Sequence, residues 1–142
     1  MKISARNRFE GIISAVNAGP VNTEVVLDLA GGTKLVAIVT SESAKTLGLA
    51  KGKRAVGLLK APSVTLLTDA ANYRFSARNQ FTGQVAELVK GAVNSEVAIR
   101  LPGGSIVSAV VTNEAVAELQ LASGKPATAL IKASQVILGV AA

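Results

Sequence analysis

Apolar and polar residues alternate along this chain in short runs. Thr23 to Leu29 sets Val25, Leu27 and Leu29 against Glu24, Val26 and Asp28, the period of two that makes a half-buried strand. Asn7 to Val16, with Phe9, Gly11 and Ile13 on one side, reads as the strand before it, and Leu35 to Val39 as the strand after it. Asn17-Ala18-Gly19-Pro20 is a turn composition. Gly31-Gly32 suits a hairpin, because glycine reaches positive φ without steric cost. After the third strand the pattern changes. Thr40-Ser41-Glu42-Ser43-Ala44 starts a short helix, with Thr40 able to cap its free N–H groups and Glu42 matched to the positive end of its dipole. The helix is expected to end before Lys51-Gly52-Lys53, where Gly52 suits a left-handed exit or turn. Ala55 to Lys60 and Val64 to Leu67 complete five strands.

The whole pattern then recurs. Ser4 to Thr68 aligns with Ser76 to Val140 without a gap, and 29 of the 65 paired positions are identical, so the chain is an internal duplication. The second copy has its hairpin turn at Gly103-Gly104, its cap at Thr112 and its glycine after the helix at Gly124. The order predicts an all-β protein of two tandem OB-like five-stranded barrels, each with a short helix between strands 3 and 4. The modules are expected at residues 1–69 and 70–142. Asp69-Ala70-Ala71-Asn72-Tyr73-Arg74 links them, too short a segment to hold the barrels apart. A unit of this size is near the lower limit for a self-sufficient core. Each half is therefore expected to borrow apolar surface from its twin or from another chain.

Composition removes several kinds of function. There is no Cys and no His, hence no disulfide framework, no thiolate and none of the commonest general base or metal ligand. Glu24 and Glu96 recur, as do Glu42 and Glu114, but no pattern pairs them as an acid and a base, and no clustered oxygen-ligand motif appears. No catalytic residue and no direct metal-cation ligand is expected, and the chain reads as no enzyme. The N-terminus lacks a signal-peptide h-region, and no run approaches the roughly 18–20 apolar residues of a membrane span. The expectation is a cytoplasmic protein without membrane contact. The net charge of +6 suggests an anionic partner. Nucleic acid is one alternative, but stacking platforms worth roughly 1–3 kcal/mol per base would have to come from Phe9, Tyr73, Phe75 and Phe81. Phe9 and Phe81 fall at equivalent core positions of the strand pattern, so nucleic acid is not expected.

The polar residues kept in both copies point elsewhere. Ser-Ala-Arg-Asn opens each first strand, at 4–7 and 76–79, and Lys-Ala separates the last two strands, at 60–61 and 132–133. Ser4 and Ser76 offer hydroxyls, Arg6 and Arg78 a planar fork of N–H donors, and Lys60 and Lys132 a compact charge. The small Ala5, Ala61, Ala77 and Ala133 would let backbone N–H groups approach a ligand. Together these are donors and positive charge with no carboxylate, a set suited to a small oxyanion. The plainer reading makes the same cations solvated guards of sheet edges. A second candidate is Gly19-Pro20-Val21-Asn22 with its equivalent Gly91-Ala92-Val93-Asn94. Such a segment commonly makes only a turn, but three copies on a symmetry axis would surround one anion with N–H groups.

These residues carry a family likeness. Ser4-Ala5-Arg6-Asn7, Gly19-x-Val21-Asn22-x-Glu24-Val25, Gly31-Gly32, Thr40-x-Glu42-Ser43 and Leu58-Leu59-Lys60-Ala61 resemble the Mop module of molybdate-binding proteins, the molbindins. So do Ser76-Ala77-Arg78-Asn79-Gln80, Gly91-Ala92-Val93-Asn94 and Leu130-Ile131-Lys132-Ala133-Ser134 in the second copy. Two modules with nothing else attached look like a di-Mop molbindin, an intracellular molybdate carrier or store. The resemblance implies an OB-like barrel per module, a homotrimer, and molybdate or tungstate held between subunits, with no cofactor. It implies one class of site at Ser4, Ala5, Arg6, Lys60, Ala61, Ser76, Ala77, Arg78, Lys132, Ala133 and Ser134. Gly19, Val21, Asn22, Gly91, Val93 and Asn94 are candidates for sites on the threefold axis. Pro62 stands where the second copy has Ser134 and lacks both N–H and hydroxyl, so Ser63 is expected to substitute for it.

Overall fold

Each alternating run forms the strand that its period requires. The computed structural model describes all 142 residues, Met1–Ala142. In the first half β1 is Asn7–Ala18, β2 Asn22–Leu29, β3 Lys34–Thr40, β4 Arg54–Leu59 and β5 Thr65–Leu67. In the second, β6 is Asn79–Lys90, β7 Asn94–Arg100, β8 Ile106–Thr112, β9 Pro126–Ile131 and β10 Ile137–Gly139. The inward positions of β2, at Thr23, Val25, Leu27 and Leu29, are all buried. The helices α1 (Ser41–Leu47) and α2 (Asn113–Glu118) sit between the third and fourth strands of their halves. Their caps are the expected ones. The Thr40 and Thr112 hydroxyls accept from Ser43 N and Ala115 N, each at 3.1 Å. The first helix stops one turn earlier than expected, at Gly48 in the left-handed region, and Gly52 shapes a separate turn after it. Neither helix is long and apolar enough to cross a membrane.

The strands form two antiparallel five-stranded sheets. In each, a bulge bends the long first strand, at Ser14 in β1 and Ala86 in β6, where an extra residue increases local twist. The sheets curl until β3 lies against β10, and β8 against β5, without a hydrogen-bonded ladder. Short 3-10 turns, Ala61–Ser63 and Ala133–Gln135, which the strand pattern did not foretell, precede the fifth strands.

Sheet membership departs from the repeat boundaries. The sheet orders are β10-β4-β1-β2-β3 and β5-β9-β6-β7-β8. The fifth strand of each half therefore completes the sheet of the other: Ile137 pairs with Leu58, and Thr65 with Leu130. Units 1–69 and 70–142 describe the duplication, while the sheets exchange their last strands across it. The cause is the route of the chain. The Ala61–Ser63 turn rests on β8 and the Ala133–Gln135 turn on β3, so each delivers the following strand to the opposite half. Consistent with this, 25 buried residues drawn from both halves form a single apolar cluster, where two independent domains would each have their own.

Candidate functional site

The strand register brings the two repeated polar segments together. Asn7 pairs with Leu59 as the last rung of the β1–β4 ladder, which brings Arg6 and Lys60 to the same end of the strand pair. Asn79 pairs with Ile131 as the last rung of β6–β9, which brings Arg78 and Lys132 to the same end of theirs. Ser4-Ala5-Arg6 with Lys60-Ala61 thus forms one strand-pair end, and Ser76-Ala77-Arg78 with Lys132-Ala133 the other.

Each of these ends is docked on the other half by its asparagine. Asn7 donates through Nδ2 to Ser108 O at 2.8 Å and accepts from Ser108 N at 2.7 Å. Asn79 makes the same pair of bonds with Val36 O and Val36 N, both at 2.8 Å. Ser108 lies in β8 and Val36 in β3, the edge strands of the opposite sheets. An amide side chain imitates the peptide group of a missing neighbour there, satisfying donor and acceptor together. Both asparagines are almost fully buried, as such a clasp demands. Ala61 and Ala133 are buried as well. Their small side chains suit packing beneath the opposite edge strand.

The charges bring a correction. The arginines were expected to form sites without a carboxylate, yet each has one. Arg6 Nη2 donates to Glu96 Oε1 at 2.7 Å, and Arg78 Nη1 donates to Glu24 Oε2. The docking of the halves is the reason, for the outward face of β7 meets Arg6 and that of β2 meets Arg78. The Arg78 hydrogen bond holds the Glu24 carboxyl below its usual range, against partial desolvation that pushes it up, with Asn17 adding to the lowering. Glu24 and Glu96 are identical in the two copies, within Val-Asn-x-Glu-Val. That repetition was the one sequence signal for them.

Lys60 and Lys132 are exposed and form no ion pair. Around Lys132 a cavity of about 180 Å³ is lined by Thr65, Phe75, Ser76, Ala77, Leu130 and Lys132. Three of the residues singled out in the sequence meet there, and Thr65 arrives on the exchanged strand. Larger cavities of about 490, 480 and 450 Å³ include none of Ser76, Ala77 or Lys132, and the second adjoins this one through Phe75 and Leu130. Ser63 and Ser134 occupy the 3-10 turns beside Lys60 and Lys132, and Pro62 leaves the first turn without the N–H and hydroxyl that Ser134 brings to the second.

The glycine–asparagine loops lie at the far ends of β1 and β6. Ser41 pins the first, donating from N to Val21 O at 2.8 Å and from Oγ to Gly19 O at 2.6 Å. Asn113 pins the second through Val93 O and Gly91 O, each at 2.9 Å. A Cβ at Gly19 or Gly91 would stand 2.5 or 2.6 Å from the carbonyl oxygen of Asn22 or Asn94, so glycine is required. Val21 and Val93 extend into solvent, 72% and 71% exposed. Glu24 follows Asn22 by two residues, so each Ser-Ala-Arg end lies near the loop of the other half.

A family model described as the TOBE domain matches residues 3–66 and again 76–138. The molybdenum transport protein ModE of Herbaspirillum seropedicae is 46% identical over 140 residues, covering 99% of this chain and 52% of its own length. The molybdenum-pterin-binding protein MopA of Rhodobacter capsulatus is 41% identical over 140 residues, covering 99% and 53%. The chain thus spans about half the length of the curated relatives it matches. A solved structure described as the cytoplasmic molybdate-binding protein ModG, with molybdate bound, is 56% identical with a TM-score of 0.96, covering 99% of this chain and 100% of that one.

Proposed function

The chain belongs to the TOBE domain family, as two modules in tandem, and on that premise we propose that it binds molybdate reversibly as a carrier or store. The observation that carries this reading is the end-to-end likeness to ModG with molybdate bound. The ligand undergoes no covalent change, the role is binding and not catalysis, and no cofactor takes part. The cytoplasmic setting described for ModG supports the same compartment here.

The anion is a compact tetrahedral dianion. Ser4, Ala5, Arg6, Lys60, Ala61 and Ser63 hold it in one class of position, and Ser76, Ala77, Arg78, Lys132, Ala133 and Ser134 in the equivalent one. Hydroxyl, guanidinium, ammonium and backbone N–H donors replace its water shell. Hydrogen bonds to charged groups contribute roughly 1.5–3 kcal/mol each, offset in part by dehydration and ordering. Several together reach micromolar or tighter binding. Near neutral pH phosphate keeps a proton and requires an acceptor, whereas molybdate and tungstate do not. Sulfate is excluded by size.

The working form is a homotrimer, with the sites closed by neighbouring subunits. Val21 and Val93 support this, since apolar tips left in water by one chain gain from burial against another. Gly19, Val21 and Asn22, with Gly91, Val93 and Asn94, supply the sites on the threefold axis. No nucleic acid takes part.

Calorimetric titration with molybdate, sulfate and phosphate tests the reading. Molybdate should bind at micromolar concentration or below, sulfate far more weakly at every site, and phosphate more weakly than molybdate overall. Arg6→Ala and Arg78→Ala should each remove one subset of sites while sedimentation still reports a trimer. Equal affinity for all three anions would refute the proposal.

A further inference from the structure

The two halves treat the carboxylate beside their arginine differently. Positions 17 and 89 are equivalent in the repeat, yet one is Asn and the other Val. Asn17 lies directly opposite Glu24 in the β1–β2 ladder, and Val89 directly opposite Glu96 in β6–β7. Both oxygens of Glu24 are engaged: Oε2 accepts from Arg78 Nη1, and Oε1 from Asn17 Nδ2 at 3.3 Å. Glu96 accepts from Arg6 on Oε1 alone, and Val89 has no donor to offer Oε2. Glu96 is also the more open, with 32% of its side chain exposed against 23% for Glu24.

A free carboxylate oxygen next to an anion site acts on one property of the ligand, its proton. Hydrogen phosphate carries an O–H that a carboxylate can accept. Molybdate and sulfate carry none, and gain nothing from such an acceptor. A carboxylate with both oxygens already accepting, from Arg and from Asn, has fewer lone pairs left and offers a protonated anion less than one with a free oxygen.

We propose, resting on the oxyanion-binding reading above, that Asn17 and Val89 set the anion specificity of the two sites in each chain. The Arg78 site, with both oxygens of its carboxylate already engaged by Arg78 and Asn17, favours fully deprotonated dianions. The Arg6 site admits hydrogen phosphate as well, through Glu96 Oε2. One chain therefore carries a strict site and a permissive one, and phosphate governs the occupancy of only the second.

Reciprocal exchange of the two residues tests this in the full chain. Both positions are on the surface, so the variants keep the fold. Molybdate is titrated calorimetrically near neutral pH, alone and against phosphate or sulfate, into the parent protein, Asn17→Val and Val89→Asn. In the parent, phosphate should compete at one class of site and spare the other. Asn17→Val should raise phosphate affinity at the strict site about tenfold, so that phosphate competes at both. Val89→Asn should protect both. Sulfate should compete equally little in all three proteins, because it brings no proton and its size is unchanged. Equal phosphate competition at both parental sites would overturn the inference, as would exchanges that move sulfate as far as phosphate. Absence of molybdate binding in the parent without competitor would overturn the function it rests on, and this inference with it.

Discussion

Asn7 and Asn79 do the most for their size. Each spends its amide on the edge strand of the opposite half, and losing it would leave a partly buried N–H and C=O without partners. An unsatisfied buried group costs roughly 1–3 kcal/mol, and these are partly buried, so Asn79→Ala should lower unfolding free energy by about 1–3 kcal/mol. Denaturant titration would show it as a lower midpoint, and an unchanged midpoint would refute the clasp. Glu24 gives a pH signature. Its carboxyl titrates below the usual 4.5 because Arg78 donates to it. A depressed folded value means stabilisation in full above 4.5 that is lost as pH falls through the lower value. The pair is partly exposed and worth roughly 0.2–1 kcal/mol, so Glu24→Gln should flatten the acid limb of a melting-temperature profile slightly and leave neutral stability nearly unchanged. At this scale the sequence was half legible. Repetition marked Ser-Ala-Arg-Asn and Lys-Ala as special. It could not say that the Asn docks a neighbouring sheet while the Arg meets a carboxylate 90 residues away, because such partners exist only once the halves are packed.

At the scale of elements, periodicity located the long strands, both helices and the threonine caps, since each depends on local chemistry. The exchange of β5 and β10 was hidden for a physical reason. Val64 and Leu66 match Val136 and Leu138 in the repeat, so either fifth strand presents the same apolar face to either sheet. The turn before it decides which sheet it joins. Leu138, buried on β10, belongs to the second repeat by sequence and to the first sheet by pairing. Leu138→Ala should cost about 2–5 kcal/mol and, in hydrogen exchange, deprotect β4 before β9. Loss of protection in β9 first would mean that the strands are not exchanged.

For the whole molecule, the duplication produces a pseudo-symmetric pair that cannot be cut between its repeats. The exchanged strands, the shared apolar cluster and the reciprocal Arg–Glu pairs all cross the boundary. The hairpin turns meet there too: a Cβ on Gly31 would stand 2.1 Å from Gly103 O, and one on Gly103 would stand 2.5 Å from Gly31 O. The repeated Gly-Gly therefore serves contact between halves as well as the turn itself, which a local reading could not reveal. The excess of basic residues indicated an anion, and the absence of Cys and His narrowed the chemistry available to hold one. The central claim is that each half carries an oxyanion at the end of its first strand, between the arginine and the facing lysine. The most direct measurement is anomalous diffraction at the molybdenum edge from crystals grown with molybdate. The account predicts peaks within hydrogen-bond reach of Arg6 with Lys60 and of Arg78 with Lys132. Strong molybdenum peaks confined to other parts of the molecule, with both of those positions empty, would contradict it.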